Sequence, residues 1–344
     1  MLLKTVLHLL SSNKLSGAEN VAIDILKNLG NSFKTYYSSP KGSIEDVLTE
    51  KQISYVPIDK MTPTAVGKLV KRLQPDIIHA HDYRASVIGA IVKGDAKLIS
   101  HLHNNYTWAR RYNAKTVLYS ILMPRMDSIV AVSNAVLEEH VFYKRMLPKT
   151  VIIRNCIDLQ KIYNIQNPKK DRNIDVVFVG RLTAQKDPLA FIKCIGILNT
   201  KGLKLKAVMV GDGELENSCI REIQRLDLET EITMLGFHSN PYKFMADSKA
   251  MVLPSKWEGF GLVAMEAMSL GVPVVCTGVG GLKEFVINGE NGFICSGIDE
   301  IAGAVQRLLT DNELWDHMSC NAIKTARTKN DFEAYIAKIK KLYI

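Results

Sequence analysis

The chain has 344 residues, 47% of them apolar, 44 basic and 35 acidic side chains, and six cysteines. That composition fills two ordinary cores and excludes disorder, while the longest apolar stretches, such as 85–92, fall far short of the roughly 18–20 residues of a membrane span. The cysteines are scattered without a C-x-x-C pair, so they read as apolar fillers in a reducing compartment rather than as a zinc site. In chain order, the strand candidates of the first half are 5–10, 35–38, 53–57, 76–80, 97–102, 128–133 and 150–155. Helical stretches at 18–29, 64–73, 83–92 and 135–141 lie between them. The second half repeats the rhythm, with strands at 175–180, 206–211, 232–236, 250–254 and 273–277. Helices are expected near 187–200, 214–227, 240–247, 261–270 and 281–287. Strands alternating with helices make βαβ units and parallel sheets, here two doubly wound domains. Residues 161–173 are polar, contain a proline and lack periodicity, so they read as the linker.

Charge divides along the same boundary. Through Lys170 there are 24 basic and 13 acidic residues; beyond it, 20 and 22. A basic first half suits an anionic partner such as phospholipid headgroups or a lipid diphosphate, and equally a generically basic surface. Neither half carries the signature of a common nucleic-acid module, so no nucleic acid is expected. Lys4 is followed by a short strand-like run rather than by a signal-peptide core, which points to the cytoplasm.

The densest chemistry lies in PSKWEGFGLVAMEAMSLGVPVV, 254–275. A strand ends at Pro254, a glycine-rich loop follows, and 261–270 reads as a helix closed by Gly271. Gly259 and Gly261 allow close backbone approach, and the first helical amides have no intrahelical partner, so they suit a phosphate or sugar oxygen. Glu258 precedes the helix and Glu266 lies on it among apolar neighbours. Their spacing fits two grips on one extended ligand, not two carboxylates flanking one glycosidic bond. Upstream, VFVG is a strand whose exit at Gly180 leads to Arg181 and Lys186, two cations suited to a diphosphate. The turns at Gly211 and Gly213 and at Gly280 and Gly281 suit either ligand contact or plain turn geometry. Neither is a dinucleotide fingerprint, which disfavours a nicotinamide enzyme.

E-G-F-G-x-x-x-x-E, with P-S ahead and G-x-P-V-V behind, resembles the signature of the retaining GT-B glycosyltransferases of family 4. The likeness extends through SGAEN, DIIHAHD, VGRLTAQKDP, VGDGELE and VGGLKEFVINGENGF. It implies a GT-B fold: two Rossmann-like doubly wound domains facing a central cleft. Residues 1–165 would bind the acceptor, joined by a C-terminal helix at about 328–344 crossing back, and 172–325 would bind a nucleotide-sugar donor. It also implies that Arg181 and Lys186 meet the diphosphate and that Glu266 holds the ribose. Glu258 would contact the transferred sugar, with Phe260, Gly261 and Leu262 alongside and Phe237 near the base.

In the first half, the resemblance places Gly17 close to the sugar and diphosphate, although the family's usual second glycine is Ser16 here. It favours His103 over His101 as the active-site histidine contacting the sugar. His101 would then point to the opposite face, as a core residue. Asp82 is suited to cap the helix at Tyr83. Residues 104–125 mix Tyr106, Trp108, Tyr112, Val117, Leu118 and Ile121 with Arg110, Arg111, Lys115 and Arg125, which suits a membrane interface or lipid-linked acceptor and equally a core helix with a basic edge. Three nearby histidines, His79, His81 and His101, lack a carboxylate cluster, and no D-x-D motif is present, so neither metal nor cofactor is expected.

The expected reaction is transfer of a hexose-type sugar from a nucleoside-diphosphate sugar of the UDP class to an acceptor hydroxyl with retention of configuration, the expected acceptor being a lipid-linked saccharide in surface-polysaccharide or capsule assembly. The rivals are a GT-B isomerase acting on a nucleotide sugar and a silent nucleotide-sugar-binding protein.

Overall fold

The computed structural model describes residues 3–169 and 171–344. The chain forms two compact units, one running to Asn155 and taking in Glu333–Ile344, the other spanning Cys156–Phe332. The change of unit at Asn155 falls ahead of the segment that reads as the linker.

The first unit holds β1 (Lys4–Leu9), β2 (Phe33–Ser38), β3 (Ile77–Ala80), β4 (Lys97–Leu102), β5 (Ser128–Ala131) and β6 (Thr150–Ile152). They form one parallel sheet in the order β2-β1-β3-β4-β5-β6. Central strands β3 and β4 are buried along nearly their whole length, as parallel sheets covered on both faces require. The expected strand at 53–57 is not one. Its backbone follows β2 only through isolated bridges, Tyr37 with Tyr55 and Pro40 with Ile58, in which Val56 N donates to Tyr37 O at 2.9 Å and Ile58 N to Ser39 O at 3.0 Å. Helix Gly17–Asn28 buries Val21, Ala22, Ile25 and Leu26, one face at helical spacing.

The second unit holds β7 (Ile174–Val179), β8 (Ala207–Val210), β9 (Ile232–Met234), β10 (Ser248–Leu253), β11 (Val274–Thr277) and β12 (Gly292–Cys295). Their order is β12-β11-β10-β7-β8-β9, again all parallel. The sequence reading missed β12, whose GFIC is too short to show a period. Phe178, Phe191, Ile195, Leu198 and Val305 anchor the core between the sheet and helices Pro188–Thr200 and Ile298–Thr310. Part of the expected linker is helix Leu159–Ile165, capped by the Asp158 side chain, which accepts from Lys161 N at 3.1 Å.

Arg172 closes the base of this unit. Its guanidinium donates to the carbonyls of Ala246, Ser248, Leu270 and Gly271 at 2.8–3.1 Å and stacks on Trp315 at 5.1 Å. These carbonyls include the C-terminal ends of helices Tyr242–Ala246 and Leu262–Ser269, where a cation is favoured. Burial lowers the Arg172 pKa to about 10.

In each sheet the order reverses once, between β1 and β3 in the first and between β7 and β10 in the second. At such a reversal the adjoining connections leave on opposite faces and open a crevice at the carboxyl ends, the usual ligand position of doubly wound sheets.

Candidate functional site

The loops leaving β7 and β10 border the reversal of the second sheet. Gln185 ties them together: its side chain donates to Trp257 O at 3.0 Å, and its carbonyl accepts from Lys256 N at 2.8 Å. Lys186 then reaches Glu258, pairing its Nζ with Oε1. Ser255 Oγ donates to the same carboxylate oxygen at 2.8 Å, and Thr277 Oγ1 donates to the Ser255 carbonyl. The pair is buried, with side-chain exposures of 14% for Lys186 and 6% for Glu258. Glu258 is therefore not a solvated loop carboxylate, and an ion pair out of water is stable only when its remaining bonding capacity is met, as Ser255 does here.

The loop carrying Glu258 is backed by the turn at Gly280. A β-carbon there would lie 1.7 Å from the Glu258 carbonyl oxygen, and φ is +55°, so only glycine fits. Gly281 N donates to Gly259 O at 3.1 Å, and the Phe260 ring packs on Phe285 at 5.2 Å. Gly261 is the N-cap of helix Leu262–Ser269, with no side-chain cap. Ala264 N already donates to Gly261 O at 3.0 Å, so only the amides of Leu262 and Val263 precede the intrahelical bonding. Glu266 is half-buried on the same helix, and Arg181 is exposed just beyond β7. Phe237 stands apart, 55% exposed beyond β9.

Gly211 has a structural role. A β-carbon there would lie 2.0 Å from the Gly180 carbonyl oxygen, and Leu182 N donates to Asp212 O at 2.7 Å. The VGDG turn thus braces the loop that carries Arg181 and Lys186.

Gly17 and His103 lie in the first unit, the other expected site residues in the second. Gly17 is exposed at the start of its helix, after Ser16, whose hydroxyl donates to the buried Glu19. His103 follows β4 and is half-buried, whereas His101 within β4 is fully buried. The expectation that they point to opposite faces is wrong. Residues two apart on a strand share a face, and the two rings stack at 4.0 Å. Burial pushes the His103 pKa down to about 3, and His79, His81 and His101 are also lowered well below the usual range, so all are neutral at pH 7. Asp82 caps helix Tyr83–Val92 through Ala85 N at 2.8 Å and also binds Ser11 N and Oγ.

In 104–125, Asn113 makes a capping box with Thr116 and starts helix Ala114–Leu122. Tyr112, Val117, Leu118 and Ile121 are 41–73% exposed beside exposed Arg111 and Lys115. The reading of this stretch as a core helix does not hold for that face. Among the described residues no helix is long and apolar enough to cross a membrane.

Sequence reasoning missed Gln185, Ser255 and Thr277, which carry no signal beyond the P-S ahead of the motif. It also missed His8 and Tyr343, whose nearness to the other histidines depends on strand order.

Residues 160–325 match the family Glycosyl transferases group 1, and residues 40–161 match Glycosyltransferase Family 4. The chain is 30% identical over 234 residues to an uncharacterized glycosyltransferase of Methanocaldococcus jannaschii, covering 61% of this chain and 57% of that protein. It is 26% identical over 316 residues to the UDP-Gal:alpha-D-GlcNAc-diphosphoundecaprenol alpha-1,3-galactosyltransferase of Escherichia coli, covering 83% of this chain and 79% of that protein. The crystal structure of Anabaena HepE with UDP and glucose superposes with a TM-score of 0.86 at 24% identity, over 98% of both chains. That likeness speaks to the fold.

Proposed function

Because the chain belongs to the GT-B glycosyltransferases of family 4, we propose that it moves a hexose-type sugar from a UDP-sugar to the hydroxyl of a lipid-linked saccharide, with retention of configuration. The observation that carries this reading is the Lys186–Glu258 pair at the reversal of the second sheet, beside the N-terminus of helix Leu262–Ser269. Lys186 and Arg181 bind the diphosphate and stabilise the charge that the β-phosphate gains as it leaves with the nucleotide. A donor phosphate draws Lys186 from Glu258, and the released carboxylate accepts a hydroxyl of the transferred sugar. Gly180 lets the loop approach, the backbone of Gly259, Phe260, Gly261 and Leu262 lies along the donor, Glu266 binds the ribose hydroxyls and Phe237 lies near the base. His103, with Gly17, contacts the sugar from the first unit. No side chain is assigned as a covalent nucleophile; the departing phosphate takes the acceptor's proton, and catalysis is positioning and electrostatics. No metal or cofactor enters this scheme.

The polysaccharide and lipid-diphosphate relatives support the acceptor class. The exposed apolar face of helix Ala114–Leu122, flanked by Arg111 and Lys115, suits the surface of an anionic membrane on its cytoplasmic side.

A thermal-shift screen of UDP- and GDP-sugars tests the donor assignment. A bound donor at 100 times its Kd stabilises by about 2.7 kcal/mol, so a UDP-sugar should raise Tm by a few degrees. No shift with any nucleotide sugar would sink the reading.

A further inference from the structure

Strands β1, β3 and β4 lie side by side and bring histidines to one region at their carboxyl ends: His8 in β1, His79 in β3 with His81 just past its end, and His101 in β4 with His103 just past its end. Their ring nitrogens are joined in single file. His103 Nε2 meets His81 Nδ1 at 3.0 Å, and His81 Nε2 meets His8 Nδ1 at 2.9 Å. His8 Nε2 meets the Tyr343 hydroxyl at 3.1 Å, and that hydroxyl meets His79 Nδ1 at 2.6 Å. His79 Nε2 then meets His101 Nδ1 at 3.0 Å. Every interior nitrogen is used once. The two terminal nitrogens, His103 Nδ1 and His101 Nε2, are buried without a protein partner.

A neutral imidazole has one donor and one acceptor, and a hydroxyl has one hydrogen to give. In every ring of this file Nδ1 faces one neighbour and Nε2 the other. Only two arrangements therefore satisfy all five bonds and also use the Tyr343 hydrogen: every histidine carries its hydrogen on Nε2, or every histidine carries it on Nδ1. Any other arrangement sets two donors or two acceptors against each other, or leaves the Tyr343 hydrogen unbonded in a buried site, where water cannot relieve the cost.

We propose that this file fixes the tautomer of His103, with His81, His8, Tyr343, His79 and His101 acting as positioning residues behind it. His103 is the one ring of the five that is not fully buried, so it is the end a ligand meets. In one arrangement its buried, unpartnered Nδ1 is an acceptor and in the other a donor, which sets whether a sugar hydroxyl that reaches it gives or takes the hydrogen. The consequence for turnover rests on the reading of His103 as a sugar contact; the tautomer assignment does not. A metal ion is the rival occupant, since His8, His79 and His81, or His81, His101 and His103, each offer nitrogens within 4.8 Å of one another. A metal would have to take nitrogens that the file already commits, with no carboxylate in either group.

Nitrogen-15 NMR of the histidine-labelled full chain decides the matter, because the Nδ1 and Nε2 shifts separate the two neutral tautomers. All five file histidines should show one shared tautomer at pH 7. Tyr343→Phe removes the hydroxyl but leaves an aromatic ring to pack on Phe33, now 5.5 Å away. It divides the file into His103–His81–His8 and His79–His101, and the His103 shifts should change although that ring is three groups away. Turnover should fall about tenfold with the donor KM unchanged, while Phe33→Leu, which disturbs the same packing, should leave the His103 tautomer as it was. Mixed tautomers in the wild type, His103 shifts indifferent to Tyr343→Phe, or one equivalent of zinc or nickel in the purified protein would overturn the proposal. If Tyr343→Phe does not fold, the wild-type tautomers alone decide. Shared tautomers without turnover on any nucleotide sugar would support the file and remove the functional reading instead.

Discussion

The two units are alike in architecture and opposite in chemistry. Each is a six-stranded parallel sheet with one reversal of strand order, and in each the conspicuous polar side chains gather at that reversal. In the first unit they are buried neutral rings, His8, His79 and His81, held by burial in their uncharged form. In the second they are a lysine and a glutamate paired out of water, beside exposed Arg181. Topology thus chooses where a ligand is met, and the side chains choose which kind. Hydrogen bonding without charge suits a sugar, and fixed charge suits a diphosphate.

Acid separates the units most strongly. A histidine whose folded pKa lies below the unfolded value of about 6.5 contributes stability that is present above that value. The contribution is lost as pH falls towards the folded pKa, about 3 for His8 and His103. His79, His81 and His101 are lowered in the same direction by burial, so protonation in acid works against the first unit at several adjoining rings. Hydrogen exchange should therefore show the first unit opening near pH 5 while Val176 and Phe178 of the second remain protected. Equal loss in both units would break the contrast.

The second unit should instead be sensitive to charge removal. Glu258→Gln leaves Lys186 buried without its counterion and should cost about 3–5 kcal/mol in urea unfolding, most of it recovered by Lys186→Met in the double variant. Lys186→Ala and Glu266→Ala should each lower kcat by 10²–10³, roughly the loss of one transition-state or donor-binding contact. Near wild-type rates in either would remove this reversal from the active site.

The smallest effect lies on the surface of the first unit. Ile121→Glu, at a position 62% exposed, should change stability by less than about 0.5 kcal/mol. It should nevertheless weaken sedimentation with anionic vesicles. Unchanged sedimentation would make the apolar face irrelevant to membranes.

Much of this was legible in the chain. Alternating apolar runs and helices gave the doubly wound class, because a parallel sheet needs both. The E-G-F-G-x-x-x-x-E stretch located the second reversal, because its glycines mark close backbone approach. What was not legible depended on pairing across distance. Glu258 meets Lys186 seventy-two positions away, and nothing local to either marks the contact. The His101 error had a simpler cause: the period of two was misapplied to residues that share a face. Tyr343 sits in a basic amphipathic helix whose sequence gives no hint that its hydroxyl lies between two histidine rings. β12 is four residues bounded by glycine, too brief to betray a period.

Arg172 has a mechanical consequence. Helix Leu262–Ser269 is about 12 Å long and behaves as a short stiff rod. Its near end carries the amides of Leu262 and Val263, and its far end is clamped through the Leu270 and Gly271 carbonyls by one guanidinium. Slack at this clamp would loosen the far end of the rod, so a residue outside the proposed site bears on the aim of the helix that borders it.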